Sequence, residues 1–373
     1  MGETRLKDGC HFRRGSIATT ILVREQKEMC HLLTEKEAAG LLGERPADSH
    51  KGDYGYVTLL GGSVRYSGAV KLANLSCNGV QSAANSPAGM PISEEGEKTV
   101  SVKSRQQMPA EEERTAANLL AHTTAAMRAG AGVVRLAAPE PLTQAILPWI
   151  LESTFLPMPS TEEGQLRFEP GKLDQALDRQ RAAAFGMGVG TGEETARILQ
   201  YILRNKRLTF IIDADGLNEL AVHENLKELL KDTECQVILT PHVKEFSRLS
   251  GRTVEEILCQ PIQLAKEFAA CYGVTVLLKG HVTTVTDGHR VYQIDRGCSG
   301  MATAGSGDVL SGVLCGMAGY IADSVQAASA AAFVAGMAGE MAEQDKNPVS
   351  MTAGDTADYV EKAITKLWNR YRR

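Results

Sequence analysis

Aromatic residues are scarce, at 5% of 373 residues, whereas glycine occurs 36 times and alanine is frequent. That balance suits helices packed closely on a sheet better than it suits a β-sandwich. The first 30 residues lack a continuous apolar run and include Lys, Arg, Glu and His, so neither a secretory signal nor a membrane span is expected. Large basic blocks are also lacking. With a formal charge of −5, the chain offers nothing that points to a nucleic-acid partner. No CxxC pair occurs among Cys10, Cys30, Cys77, Cys235, Cys259, Cys271, Cys298 and Cys315. Scattered cysteines of this kind read as reduced thiols of a cytoplasmic protein, not as a disulfide frame or a zinc site.

What is present is enough for one large α/β domain or two small ones, with 43% hydrophobic residues to build a core. Short apolar strands are expected at 56–60, 133–139, 182–190, 209–218, 237–242 and 275–280. Helical spacing falls between most of them, at 193–204, 218–231 and 253–272, and again at 325–344 and 353–371. Strands alternating with helices imply a mostly parallel sheet covered on both faces. Residues 283–295 read as a hairpin turning at Asp287 and Gly288. A helix with Thr34 as N-cap follows an N-terminal arm of 33 residues. Pro87, Pro91 and Pro109, set among Ser, Glu, Lys and Gln, mark 78–117 as a flexible surface insertion.

The segment 300–316 organises the chain. Gly305, Ser306 and Gly307 leave the backbone nearly bare, and Val309, Leu310, Val313 and Leu314 then recur at helical spacing. A helix starting near Gly307 would present unpaired N–H groups and about half a positive charge to an anion. Asp308 would stand in its first turn. Alternatively, Asp308 merely caps the helix and the glycines ease packing. Four further features fall at expected carboxyl ends of strands: Gly188 with Gly190, Asp213 with Asp215, His242 with Glu245, and Lys279 with Gly280. Ligands bind along that edge of an open parallel sheet. Singly, each has a plainer reading: a loop histidine, a cap at Asp215, a solvated lysine, a turn glycine.

Taken together, these motifs resemble a known family. Lys51-Gly52-Asp53-Tyr54-Gly55, Gly61-Gly62-Ser63, Tyr66-Ser67-Gly68-Ala69, Gly130-Ala131-Gly132, Gly188-Val189-Gly190, Thr240-Pro241-His242 with Glu245, Lys279-Gly280 and Gly300-Met301-Ala302-Thr303 with Gly305-Ser306-Gly307-Asp308 occur in order. The chain is similar over roughly 33–370 to the ADP/ATP-dependent NAD(P)H-hydrate dehydratases, a branch of the ribokinase-like fold. The resemblance implies a single ribokinase-like domain over 34–373. It implies a repair reaction in which ADP or ATP phosphorylates the ring hydroxyl of hydrated NADH or NADPH and phosphate then leaves. Mg2+ is implied, as is a homo-oligomer, a tetramer in the family. By motif position, Ala69, Gly190, His242 and Asp308 match substrate-site residues. Lys279, Gly280, His281, Val282, Thr283 and Gly307 match the nucleotide site.

Residue chemistry suits that reaction. Phosphorylation turns hydroxyl into a better leaving group. Backbone N–H groups of Ala304, Gly305, Ser306 and Gly307 can form an anion hole, and Asp308 can take the hydroxyl proton. The chain departs from the family pattern at the 78–117 insertion. It also has Cys298-Ser299 where Asn-Pro is usual and Ala304 where Gly is common. The epimerase domain often fused upstream is not expected, since 33 residues cannot form it. A ribokinase-like kinase of a small vitamin precursor and a non-catalytic nucleotide-binding regulator are the competing readings.

Overall fold

Among the described residues, the expected alternation produces one ten-stranded sheet. The computed structural model describes residues 31–64, 121 and 123–372, without the side chain of Trp149. Its strands are β1 His31–Leu32, β2 Tyr56–Leu60, β3 Val133–Pro139, β4 Thr154–Met158, β5 Ala182–Phe185, β6 Thr209–Ile212, β7 Gln236–Leu239, β8 Thr275–Leu278, β9 Thr283–Thr286 and β10 Val291–Ile294. They lie in the order β1-β10-β9-β8-β7-β6-β5-β2-β3-β4. From β8 to β4 every neighbouring pair is parallel. The expected hairpin is β9 and β10, which extends that sheet antiparallel. The last residues of the expected arm, His31 and Leu32, add to its edge beside β10.

The helices are α1 Glu35–Leu41, α2 Thr143–Ile146, α3 Pro170–Leu177, α4 Glu193–Asn205, α5 Ala214–Val222, α6 Glu224–Glu228, α7 Val243–Ser250, α8 Val254–Cys259, α9 Pro261–Tyr272, α10 Ser306–Ala318, α11 Ser324–Lys346 and α12 Ala353–Tyr371. The central strands are apolar on both faces, as a twice-covered parallel sheet requires. Ala182, Ala184, Ile211, Ile238 and Leu277 join the core shared with α10, α11 and α12. Ala183, Phe185, Phe210, Ile212, Val237 and Leu239 join the opposite core under α3, α4, α5, α7 and α9. Alanine-rich α11 packs against both α10 and α12, because small side chains allow close helix approach.

Several elements differ from the sequence expectation. The helix expected over 253–272 is two helices, since Gln260 leaves the helical conformation and Pro261 restarts the chain as α9. The helix expected from residue 218 begins at Ala214, so Asp213 and not Asp215 is its cap. The thiol expectation is corrected at Cys259, which is disulfide-bonded, whereas Cys235, Cys271, Cys298 and Cys315 are free. Among the described residues, no helix is long and apolar enough to cross a membrane. The 78–117 insertion and Ala69 lie outside the described residues.

Candidate active site

The residues that follow β6 and β8, Asp213 and Lys279, meet the first turns of α10. Pairing continues past the last residues of β7 and β8: Lys279 N–H donates to Pro241 O at 2.8 Å, and His242 bridges to Lys279 in parallel register. That extension sets His242 and Lys279 side by side. One strand over, Asp213 ends β6 and caps α5, accepting from Ala214 N–H at 2.9 Å.

A buried polar cluster forms there. Lys279 Nζ lies 3.0 Å from Asp213 Oδ1 and 4.0 Å from Glu245 Oε2. Ser311 Oγ, from the second turn of α10, donates to Asp213 Oδ2 at 2.7 Å. Burial alone would push the Asp213 carboxyl up, but the Lys279 ammonium and the Ser311 and Lys279 hydrogen bonds outweigh it and hold it below the usual range. Burial likewise opposes the charge on Lys279. The carboxylates of Asp213, Glu245 and Asp308 overcome it and raise the lysine above its ordinary value. The lysine is therefore charged at neutral pH, and Asp308 is close enough to act on it.

Helix α10 starts at Ser306, one residue before the expected start, with Gly305 at its N-cap in a left-handed conformation, φ 92°. Gly305 provides no side-chain cap, and Ser306 N–H turns back to Thr303 O at 3.4 Å, which leaves the Gly307 N–H of the first turn to meet an anion. Ser306 Oγ is shut off from solvent without a hydrogen-bond partner. Gly307 is next to the cluster. A Cβ there would lie 3.6 Å from Lys279 Nζ and 3.8 Å from Asp213 Oδ2. Ala304 is exposed at the mouth of this turn.

His242 is itself a helix cap. Its Nδ1 accepts from Lys244 N–H at 3.1 Å and Glu245 N–H at 3.2 Å, while Glu245 Oε2 accepts from His242 N–H at 2.8 Å. This reciprocal arrangement needs a lone pair on Nδ1 and so leaves the proton on Nε2, 3.5 Å from Glu245 Oε1. Burial lowers the histidine pKa, Glu245 opposes the shift, and Lys279 and Arg248 add to it. The ring is thus kept neutral.

Gly190 occupies an adjoining loop. Its φ of 80° is one that other residues rarely adopt. Asp215 Oδ2 accepts from Gly190 N–H at 2.9 Å, Thr195 Oγ1 donates to Gly190 O at 2.8 Å, and Glu219 Oε1 accepts from Gly192 N–H at 2.7 Å. Burial raises the Asp215 carboxyl despite the Gly190 hydrogen bond. A cavity of about 560 Å³ borders this loop at Thr191, Gly192, Asn218 and Glu219, but shares no residue with the Lys279 cluster. Gly280 and His281 are exposed past β8, and Val282 and Thr283 are partly exposed as the chain enters β9.

The structure therefore gathers His242, Lys279, Gly307 and Asp308, with Gly190 on the neighbouring loop. Sequence reasoning placed Asp213 and Glu245 along the ligand-binding edge without giving either a role, and missed Ser311. The available signal was helical spacing, since Ser311 stands three residues after Asp308 and so shares its side of α10.

A family model described as NAD(P)H-hydrate dehydratase matches residues 111–362. A bifunctional NAD(P)H-hydrate repair enzyme of Moorella thermoacetica is 30% identical over 351 residues, covering 93% of this chain and 56% of that protein. The chain spans about half the length of several such bifunctional relatives. An ADP-dependent (S)-NAD(P)H-hydrate dehydratase of Cenarchaeum symbiosum is 30% identical over 247 residues, covering 65% of this chain and 82% of that one. In fold, the chain is similar to the ADP/ATP-dependent NAD(P)H-hydrate dehydratase of Bacillus subtilis, crystallised with ATP and Mg2+. The TM-score is 0.65 at 24% identity, over 92% of this chain and 99% of that one.

Proposed function

The chain belongs to the NAD(P)H-hydrate dehydratase family, and we propose that it uses ADP or ATP to dehydrate hydrated NADH or NADPH. The observation that carries this reading is the half-buried, charged Lys279 held by Asp213 at 3.0 Å and set beside Gly307 in the first turn of α10, the turn that also carries Asp308. The terminal phosphoryl group would sit against the N–H groups of that turn, in reach of the ammonium. Such fixed donors stabilise transferring phosphoryl charge without reorganising.

Asp308 takes the proton of the ring hydroxyl as its oxygen attacks the terminal phosphorus. The phosphorus–oxygen bond to the nucleotide breaks, so ADP gives AMP and ATP gives ADP. The carbon–oxygen bond then breaks, inorganic phosphate leaves with the electron pair, and a proton lost from the neighbouring ring carbon restores the double bond. His242 and Gly190 belong to the ring side of the site. The segment from Lys279 to Thr283 belongs to the nucleotide side, and Ala69 is proposed on motif position alone.

Among the described residues, no group of three or more His, Cys, Asp or Glu side chains could hold a metal. Mg2+ bound largely through phosphate oxygens and water needs only one or two carboxylates. Glu245, whose Oε2 lies 4.0 Å from Lys279 Nζ, would supply one such hard-oxygen ligand. When bound, Mg2+ would neutralise phosphate charge. A homo-oligomer and a cytoplasmic location belong to the same proposal, on the strength of the family resemblance.

The test is incubation with hydrated NADH, Mg2+ and each nucleotide, following reduced-nicotinamide absorbance. Absorbance should return only with nucleotide present. A phosphorylated product that accumulates without that return would overturn dehydration in favour of a kinase.

A further inference from the structure

Asp213 carries a charge that the reaction above does not use. It is 2% exposed, yet its carboxylate receives three groups: Lys279 Nζ at 3.0 Å, Ser311 Oγ at 2.7 Å and the Ala214 N–H at 2.9 Å. Burying a carboxylate is costly unless it is paired and hydrogen-bonded, and here both oxygens accept and one faces an ammonium. The contacts come from three separate elements: Ser311 from α10, Ala214 from α5 and Lys279 from the end of β8. A flexible lysine would otherwise sample many rotamers. Held by Asp213, its ammonium has one fixed position, facing Gly307 across a gap that a single methyl group would fill.

We propose that Asp213, steadied by Ser311, is a positioning residue that aims Lys279 at the terminal phosphoryl group of the nucleotide. The proposal rests on the nucleotide-dependent reading given above. An ammonium has three donor hydrogens. One is committed to Asp213, and Glu245 stands at 4.0 Å, which leaves donor capacity for phosphate oxygen. The target is the terminal phosphoryl and not the α-phosphate, because a Cβ on Gly307 would lie 3.6 Å from this ammonium and Gly307 directly precedes Asp308, the group that meets the attacking hydroxyl. Ser311 ties the aim to α10 itself, so the anion-binding turn and the lysine are set by one carboxylate.

The experiment is a double-mutant cycle read by calorimetry with ADP, ATP and AMP on the full chain. Asp213→Asn keeps the helix cap but removes the charge, and Lys279→Met removes the ammonium. Each should weaken ADP and ATP binding about 10- to 100-fold, the scale of a lost charge-assisted hydrogen bond. AMP affinity should stay within a few-fold of the parent, and the double variant should bind no more weakly than Lys279→Met alone. Additive losses, an equal fall in AMP affinity, or unchanged ADP and ATP binding by Asp213→Asn would each overturn the proposal. If Asp213→Asn does not fold, Ser311→Ala decides. It should weaken ADP and ATP but not AMP, and do nothing further in the Lys279→Met background; no effect on ADP and ATP overturns the aim. A parent protein that binds neither ADP nor ATP overturns this proposal together with the functional reading. Nucleotide binding that follows the expected cycle, without return of reduced-nicotinamide absorbance, overturns dehydration alone.

Discussion

Asp308 is the residue on which the chemistry depends, and its surroundings separate a base from a cap. It lies in the first turn of α10, part-exposed, with its charge acting on Lys279. A carboxylate needed only for the helix end would be replaceable by an amide of the same shape, since a neutral oxygen still accepts a hydrogen bond. A carboxylate that removes a proton would not. Asp308→Asn should therefore melt near the parent temperature and bind nucleotide about as well. Turnover should fall on the order of 100- to 10,000-fold, the usual loss on removing a positioned general base. Turnover under saturating substrates together with a thermal melt checks this. Turnover within a few-fold of the parent would leave Asp308 as a helix cap.

At the scale of the element, α10 is both an anion site and a core helix: its first turn faces Lys279, and Val309, Val313, Leu314 and Met317 are buried. The two roles can be separated at Gly307. An added Cβ would make ordinary van der Waals contacts, so Gly307→Ala should fold normally and gain up to about 1 kcal/mol from the better helix former. The same methyl group would occupy the space proposed for a phosphate oxygen, and nucleotide affinity should fall by roughly tenfold, as expected when a hydrogen bond to a charged group is lost. Melting and calorimetry on one preparation read both effects, and undiminished affinity would place the phosphate elsewhere. Much of this was legible in the sequence, because strands such as β2 and β6 are mostly apolar runs followed by glycine or aspartate, and α12 matches its expected span. β4 was not, since Pro157 and the exposed Thr154 give its edge position a broken pattern. α7 was hidden for another reason. Only Phe246 and Leu249 are its buried apolar anchors, and its cap is a histidine, outside the residues that usually announce a helix start. The site's glycines and strand-end polar residues stood out individually, but the Asp213 network did not. A contact between residues 213 and 311 arises only when α10 folds back over β6.

At the scale of the whole molecule, the two ends of the described chain are clasped at the sheet edge opposite β4. Glu35 of α1 takes Arg296 from the chain after β10 at 2.7 Å, Arg370 of α12 at 2.8 Å and Tyr371 Oη at 3.2 Å. Arg296 also reaches Glu340 of α11 at 2.8 Å, and Arg372 donates to Ala39 O at 2.9 Å. One carboxylate thus joins α1, the hairpin and α12. Glu35→Gln would keep the shape and lose the charge. Arg296 would retain Glu340, and the Glu35 side chain is 19% exposed, so the cost is the moderate one of a screened network, about 1–2 kcal/mol. In a chain of this size that is a fall of a few degrees in Tm. Burial would raise the Glu35 carboxyl, but Arg296, Arg370 and Tyr371 hold it below the ordinary value. A carboxylate with a depressed folded-state pKa stabilises fully above its unfolded value, near 4.3, and loses that contribution as pH falls through the lower folded value. The Tm gap between parent and Glu35→Gln should therefore be constant around neutral pH and close below about pH 4. Because the clasp shares no residue with the Lys279 cluster, kcat at neutral pH should match the parent. A variant that loses turnover while keeping its Tm would show that the clasp acts on the site and not on the stability of the fold.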